Sequence, residues 1–260
     1  MKNVKKTTLP SKIIFKTLRF FAKIFYKKTE IVGIERLLGG NKIIVSNHAQ
    51  LNGPIIGELF MPENCYIWAN GQMVRCREVH KYAMNDFFSY KSARVQPIYN
   101  LASYLLAFLL PCVINNAKTI PVYRDARIVS TFRATIKHLD NGDIILIFPE
   151  KHEKNNNIVN KFQENFIDVA RLYYKKTGIE LTFLPMYVAP NMSKAYIGEG
   201  IRFDSNKSIG EERERISTYL SDEITKIGRS LPRHTVVPFD NISRKQYITN
   251  KDTDRIPGVY

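Results

Sequence analysis

Cysteine is scarce in this chain, with three in 260 residues. Cys65, Cys76 and Cys112 form no C-x-x-C pair and fall at no zinc-ligand spacing. That excludes a disulfide framework and a zinc ribbon, and it suits a reducing compartment in which the three are small buried thiols. Acidic residues are few as well: 24 Asp and Glu stand against 39 Lys and Arg, for a net charge of +15. Strictly apolar runs are short. The stretch 101–114 is apolar apart from Ser103 but contains Pro111. A bilayer span needs about 20 residues, so a buried or interfacial helix is expected there rather than a spanning one. The stretch 11–28 is not expected to be a signal peptide, because Lys16, Arg19 and Lys23 interrupt any apolar core and no small-residue cleavage site follows. No internal repeat or low-complexity linker occurs, and there is no RNP1 aromatic motif, C2H2 finger or basic-zipper heptad. The positive charge is therefore expected to face an anionic membrane or a phosphorylated small molecule, with no nucleic acid as partner.

What is present starts with 44% hydrophobic residues, enough to exclude a disordered chain and to build one core, with or without appendages. Within 11–28, Lys12, Lys16, Arg19, Lys23 and Lys27 recur at steps of three and four, so they share one helical face. Ile13, Ile14, Leu18, Phe21 and Phe25 make a broad apolar face. This pattern suits a helix lying on an anionic bilayer, where each Lys or Arg adds about 1 kcal/mol. The alternative is an amphipathic helix packed on its own domain.

Beyond it, strand and helix alternate. Strands are expected near 29–36, 42–46, 65–69, 118–123, 143–148, 181–188 and 195–203. Helices are expected near 54–60, 78–117, 128–139, 162–174 and 211–227, with Gly178 as a C-cap. Asn155-Asn156-Asn157 reads as an exposed loop. Alternation predicts an α/β fold with a mixed, mostly parallel sheet flanked by helices. The expected organisation is a basic amphipathic helix over 1–28, an α/β domain over 29–239 and a weakly ordered polar tail over 240–260.

Four apolar runs deliver polar groups. Ile43-Ile44-Val45-Ser46 leads to Asn47-His48, followed by Gly53-Pro54. Ile120-Pro121-Val122-Tyr123 leads to Arg124. Ile147-Phe148-Pro149 leads to Glu150. Phe183-Leu184-Pro185-Met186-Tyr187-Val188 closes the series. A histidine leaving a buried strand stands where α/β sheets build ligand crevices, and its ordinary pKa suits a general base. In order and spacing these blocks resemble the glycerol-phosphate and lysophospholipid acyltransferase family (1-acylglycerol-3-phosphate acyltransferase-like), over roughly residues 30–205. That family carries Asn-His-x4-Asp, a block ending in Arg, Phe-Pro-Glu-Gly-Thr-Arg and a late proline-containing apolar block. Here Gly53 stands in place of the Asp, and Lys151-His152-Glu153 in place of Gly-Thr-Arg.

The resemblance implies His48 as the base that deprotonates an acceptor hydroxyl. It implies Arg124 as the ligand of the acceptor phosphate and Glu150 as the group that orders the acceptor site. With no Asp at position 53, Asn52 or Gln50 is expected to orient the ring through an amide oxygen, or Glu58 or His152 to reach in. Asn47, Gly53, Lys151 and His152 are expected to bind substrate, and backbone amides near Asn52-Gly53-Pro54 to help hold the oxyanion. The implied activity is transfer of a fatty acyl group from an acyl thioester, acyl-CoA or acyl-carrier protein, to a lysophospholipid or glycerol phosphate. No metal and no resident cofactor is expected. The implied location is the cytoplasmic face of a membrane, held peripherally or monotopically. Two rivals stand beside this reading: a catalytically weakened lipid- or acyl-CoA-binding relative, and a basic scaffold or nucleic-acid-associated protein.

Overall fold

The structure, a computed structural model, describes residues 7–85, 87–88 and 92–252. In chain order the elements are α1 (Leu9–Phe25), β1 (Glu30–Val32), β2 (Lys42–Ser46), α2 (Asn52–Phe60), β3 (Cys65–Asn70), α3 (Cys76–Asn85), α4 (Gln96–Asn116) and β4 (Thr119–Val122). Then come α5 (Ile128–Asp140), β5 (Ile144–Ile147), β6 (Glu150–Lys154), β7 (Asn160–Phe162), α6 (Asp168–Thr177), β8 (Thr182–Ala189), β9 (Lys194–Ile197), β10 (Ile201–Arg202) and α7 (Ile209–Ser230). The chain forms two compact units. The smaller takes in α1 and Ile67–Thr131; the larger takes in Lys28–Tyr66 and the chain from Phe132 onward.

In the larger unit the strand path is β1-β9-β8-β2-β5, with β10 also on β8. β2 runs parallel to β5 and β8, and β1 parallel to β9. β9 and β10 are antiparallel to β8. The sheet is mixed and mostly parallel, flanked by helices, as the alternation predicts. β2 sits between two parallel neighbours, and Ile43, Ile44 and Val45 are fully buried in succession instead of alternating, so both its faces are covered. Ile145 and Leu146 of β5, Phe183 and Tyr187 of β8, Ile56 of α2, and Ile216, Leu220 and Ile224 of α7 complete the core. Each such side chain contributes roughly 1.5–3 kcal/mol on burial.

Pro185 is tolerated inside β8 because of its neighbours. Its carbonyl accepts from Gly198 N–H at 2.8 Å, so its missing N–H faces the gap between β9 and β10. α7 opens with a reciprocal capping box between Ser208 and Glu211, and α6 ends on left-handed Gly178.

The expected helix at 162–174 is displaced. Asn160–Phe162 instead pairs antiparallel with Glu150–Lys154, and the helix begins only at Asp168. The loop between these strands is exposed at Asn155, as expected, but buried at Asn157. Asn155 and Asn156 donate to Ser221 and Thr225 of α7, each at 2.9 Å, and buried Asn157 donates to the carbonyls of Thr249 and Asp252. Nor is the tail loose through residue 252. Asn250 is fully buried, its Nδ2 donating to the carbonyls of Gly228, Leu231 and Pro232 and its Oδ1 accepting from His234 N–H. The rest of the expected tail lies outside the described residues.

In the smaller unit, β3 and β4 pair in parallel and α4 packs on both α1 and α3. α1 starts with a capping box, Thr8 with Ser11, and Pro10 in its first turn. Asn116 Nδ2 donates to Ser11 Oγ at 3.2 Å and pins α4 to that end of α1. No residue of α1 is buried. Phe20, Ile24 and Phe25 face solvent, as do Leu101, Leu105 and Phe108 of α4. Of the two alternatives expected at 101–114, a buried or an interfacial helix, α4 departs from the buried one. It runs unbroken through Pro111 for 21 residues and by length and composition is able to cross a membrane. Part of the helical region expected over 78–117 lies outside the described residues.

Candidate functional site

β2, β5 and β8 run in one direction, so their carboxyl ends lie together, where open α/β sheets carry their ligand sites. The chain leaves β2 through Asn47 and His48. Asn47 is 2% exposed. Its Oδ1 accepts Val188 N–H at 2.7 Å and its Nδ2 donates to the Val188 carbonyl at 3.2 Å. The side chain extends the β2–β8 ladder by one rung. Substrate contact was expected of Asn47, but both its side-chain polar atoms are engaged by Val188 of the last of the four blocks.

His48 follows. Its ring lies between Phe148, with centroids 5.2 Å apart, and Phe239, at 5.5 Å. Its backbone N–H donates to Glu150 Oε2 at 2.5 Å. Its Nδ1 meets the main-chain carbonyl of Gln50. A carbonyl only accepts, so Nδ1 carries the proton and Nε2 is the basic nitrogen. The turn that brings this carbonyl round has Ala49 at φ +46° and Gln50 at φ +55°, two successive non-glycine residues in the left-handed region. Asn52 closes it: its N–H and its Nδ2 both donate to the Ala49 carbonyl, at 3.1 and 2.9 Å. Gly53 N–H donates to the His48 carbonyl at 3.0 Å. The amides of Asn52 and Gly53, expected to face an oxyanion, are therefore engaged within the turn.

Gly53 is explained by space. A Cβ there would lie 2.6 Å from the His48 carbonyl oxygen and 2.6 Å from a Phe148 ring carbon. No side chain fits, so no carboxylate enters from the position where the family motif has its Asp.

Glu150 opens β6 and is 4% exposed. Oε2 takes His48 N–H and Oε1 takes Asn160 N–H at 2.8 Å. Burial pushes its carboxyl up to about 7, with nearby Asp240 adding to the rise and the two backbone N–H groups opposing it. Glu150 thus clamps the backbone of His48 to the β6–β7 hairpin. Next along β6, Lys151 pairs with Glu153 at 3.0 Å, and Lys161 pairs with the same carboxylate. His152 Nδ1 lies 2.6 Å from Asp240 Oδ1, with its ring 4.9 Å from Phe239. Asp240 also accepts Asn160 Nδ2 at Oδ2, 3.4 Å, and Gln50 Nε2 at its main-chain oxygen, 3.3 Å. A hairpin braced by Asp240 stands where the family motif has Gly-Thr-Arg.

Among solved structures, the chain is similar to the 1-acyl-sn-glycerophosphate (LPA) acyltransferase PlsC from Thermotoga maritima. The two share 16% identity and a TM-score of 0.46, over 84% of this chain and 80% of that one. No protein-family profile and no curated protein sequence matches the chain.

The larger unit brings together His48, Asn52, Gly53, Glu150 and His152, with Lys151 beside them on β6 and Asn47 beneath. Arg124 belongs to the smaller unit, two residues past the end of β4, and is exposed. The adjacent Asp125 accepts Arg127 N–H at 2.9 Å in the turn that precedes α5, a bond to the turn and not to the helix's own amides. Arg127 holds it in a two-pronged ion pair that keeps the exposed carboxyl down at about 2.

Sequence reasoning missed both Phe239, the last residue of the expected α/β domain, and Asp240, the first of the expected tail. Their only local signal is the preceding Val236-Val237-Pro238, of which Val236 and Val237 are buried. The remaining histidines are structural. His234 joins Tyr187 Oη at 2.9 Å to the Pro232 carbonyl at 2.8 Å, His138 pairs with Asp143 at 2.8 Å, and His80 pairs with buried Ser103 at 2.5 Å.

Proposed function

We propose that this protein is an acyltransferase. It moves a fatty acyl group from an acyl thioester, acyl-CoA or acyl-carrier protein, to the hydroxyl of a lysophospholipid or glycerol phosphate at an anionic membrane surface. The observation that carries this reading is the meeting of His48 with Glu150. Two motif residues distant in the chain are joined by a direct hydrogen bond, with the His48 ring nitrogen Nδ1 tied to a carbonyl. Support comes from the four sequence blocks in family order.

In this reading Nε2 of His48 takes the proton of the acceptor hydroxyl. The hydroxyl oxygen forms a bond to the thioester carbonyl carbon, and the resulting tetrahedral intermediate collapses with cleavage of the carbon–sulfur bond. The imidazolium then returns its proton to the departing thiolate. Arg124 binds the acceptor phosphate through its guanidinium fork. α1 lies in the interface of the cytoplasmic leaflet, Lys12, Lys16 and Lys23 facing anionic headgroups while Phe20, Ile24 and Phe25 enter the acyl boundary.

The test is transfer of labelled acyl groups from acyl-CoA and acyl-carrier protein to a panel of acceptors, wild type beside His48→Ala. Equal activity in the two would end the enzyme reading. The second reading, a weakened relative that binds lipid or acyl-CoA, is favoured by one observation: the N–H groups of Asn52 and Gly53 are already engaged in the turn. Substrate binding without single-turnover chemistry would select it.

A further inference from the structure

We infer that the main-chain carbonyl of Gln50 takes the place of a carboxylate as the group that orients His48, presented by a left-handed turn at Ala49-Gln50. The inference rests on the acyltransferase reading for its catalytic meaning, but its geometry stands apart from it. An imidazole acting as base needs one defined tautomer and one defined ring angle, and it gains from a partner that stabilises the imidazolium. At His48 the space a motif carboxylate would need is closed, because a Cβ at Gly53 meets the His48 carbonyl oxygen and the Phe148 ring. The Nδ1 proton goes instead to the Gln50 carbonyl.

Three features make this a built arrangement. First, the carbonyl points back at the ring only because Ala49 and Gln50 both adopt positive φ, a conformation that neither side chain favours. Strained backbone persists where its surroundings hold it. Second, the surroundings do hold it, since Asn52 grips the Ala49 carbonyl twice, Gly53 grips the His48 carbonyl, and Gln50 Nε2 reaches the Asp240 carbonyl. Third, the ring is fixed from the other side, by Glu150 on its backbone N–H and by Phe148 and Phe239 on its flanks. Gln50 is thus a positioning residue that acts through its backbone. A carbonyl dipole carries less charge than a carboxylate, so the imidazolium is steadied less than in a His–Asp pair, and turnover slower than that of such a pair is expected.

The experiment uses the full chain with ¹⁵N-labelled histidine. Long-range proton–nitrogen correlations, with His48 assigned by its loss in His48→Ala, read the tautomer without any substrate. Above the ring's titration, Nδ1 is expected to be protonated and Nε2 bare; a protonated Nε2 would overturn the inference. The same measurement is made on two variants. Gln50→Gly favours the left-handed turn and retains the carbonyl, so it is expected to keep the Nδ1–H tautomer. Gln50→Val resists positive φ and is expected to lose it, with kcat falling by about 10²-fold or more and KM little changed. If Gly loses the tautomer as Val does, the Gln50 side chain is the orienting element and the inference fails. Should Val not fold, wild type and Gly still decide. A protein with the expected tautomer but no acyl transfer would refute the function and leave the positioning role standing.

Discussion

Replacing Glu150 by Gln removes a charge but keeps the shape, and the structure sets both the sign and the size of the effect. In the folded protein the carboxyl titrates at about 7, raised first by burial; unfolded it titrates near its ordinary 4.5. The folded state therefore holds the proton more tightly. Its contribution to stability is fully present below about pH 4.5 and is lost as pH rises through 7. At about 1.4 kcal/mol per pH unit, the loss is about 3 kcal/mol between pH 4.5 and 8. Gln has no such slope. It has another defect, because both Glu150 oxygens accept backbone N–H groups, from His48 and Asn160, and an amide offers one oxygen only. One buried N–H then faces an NH₂ group, at a cost of about 1–3 kcal/mol. Glu150→Gln is expected to be less stable than wild type at pH 5 and to draw level with it, or pass it, at pH 8. Urea unfolding followed by circular dichroism at half-unit pH steps measures the difference, and hydrogen exchange of the His48 and Asn160 amides localises it. Two stability curves that run parallel from pH 5 to 8, or a wild type that gains on the variant with rising pH, would refute the assignment of a buried, proton-holding carboxyl.

Three further outcomes are expected. Gly53→Ala forces a Cβ to within 2.6 Å of the Phe148 ring and the His48 carbonyl, so it should cost about 1–3 kcal/mol in thermal or urea unfolding, and Gly53→Asp more; an Asp variant with wild-type stability and higher activity would show that the slot is open after all. Reversing Lys12, Lys16 and Lys23 to Glu should remove about 3 kcal/mol or more of attraction to anionic vesicles, on the order of 10²-fold in partitioning at low salt, with much less effect on neutral vesicles; sedimentation that is the same for both proteins would remove α1 from the membrane contact. Arg124→Ala should raise the acceptor KM far more than the donor KM, and Arg124→Lys should restore only part of the loss because the two-pronged contact is gone. Unchanged acceptor kinetics in the Ala variant would return Arg124 to an ordinary surface role.

How far the sequence reaches is clearest by comparing elements. β2, β5 and β8 are dense β-branched and aliphatic runs, and a run buried on both faces declares itself by composition alone. α5 and α7 keep helical spacing over several turns. The β6–β7 hairpin does not declare itself. Its second strand is three residues long, its first is mostly charged, and Phe162 falls at a helical distance from Phe166, Val169 and Tyr173, so it was counted with the helix that follows. What holds the hairpin is a set of Asn side chains bonded to α7 and to residues 249–252, and contacts between distant parts of a chain leave no periodicity. The same holds for Asp240, whose long-range partners Gln50, His152 and Asn160 lie in the His48 turn and the hairpin.

The site divides in the same way. His48 and Glu150 were legible because their chemistry is in their side chains and each follows a strand. The orienting group was not, although Gln50 was named as a candidate through its amide. The structure uses its backbone instead, and nothing in the letter Q signals a positive φ; Gly or Asn would have. Gly53 reads in reverse. As a letter it looks like the loss of a catalytic carboxylate, or a residue kept for its own backbone freedom. Its physical reason is the Phe148 ring packed against it, from the same Phe-Pro-Glu block that supplies Glu150. Gly53 is therefore linked to the Phe-Pro-Glu block through one contact. The Phe148 ring and the His48 carbonyl close the space that a Cβ at position 53 would need, and His48 Nδ1 meets the Gln50 carbonyl. A change that shrinks Phe148 is the natural partner of Gly53→Asp. The double variant Phe148→Ala/Gly53→Asp should recover stability relative to the sum of the single changes, and a strictly additive pair would break the proposed link.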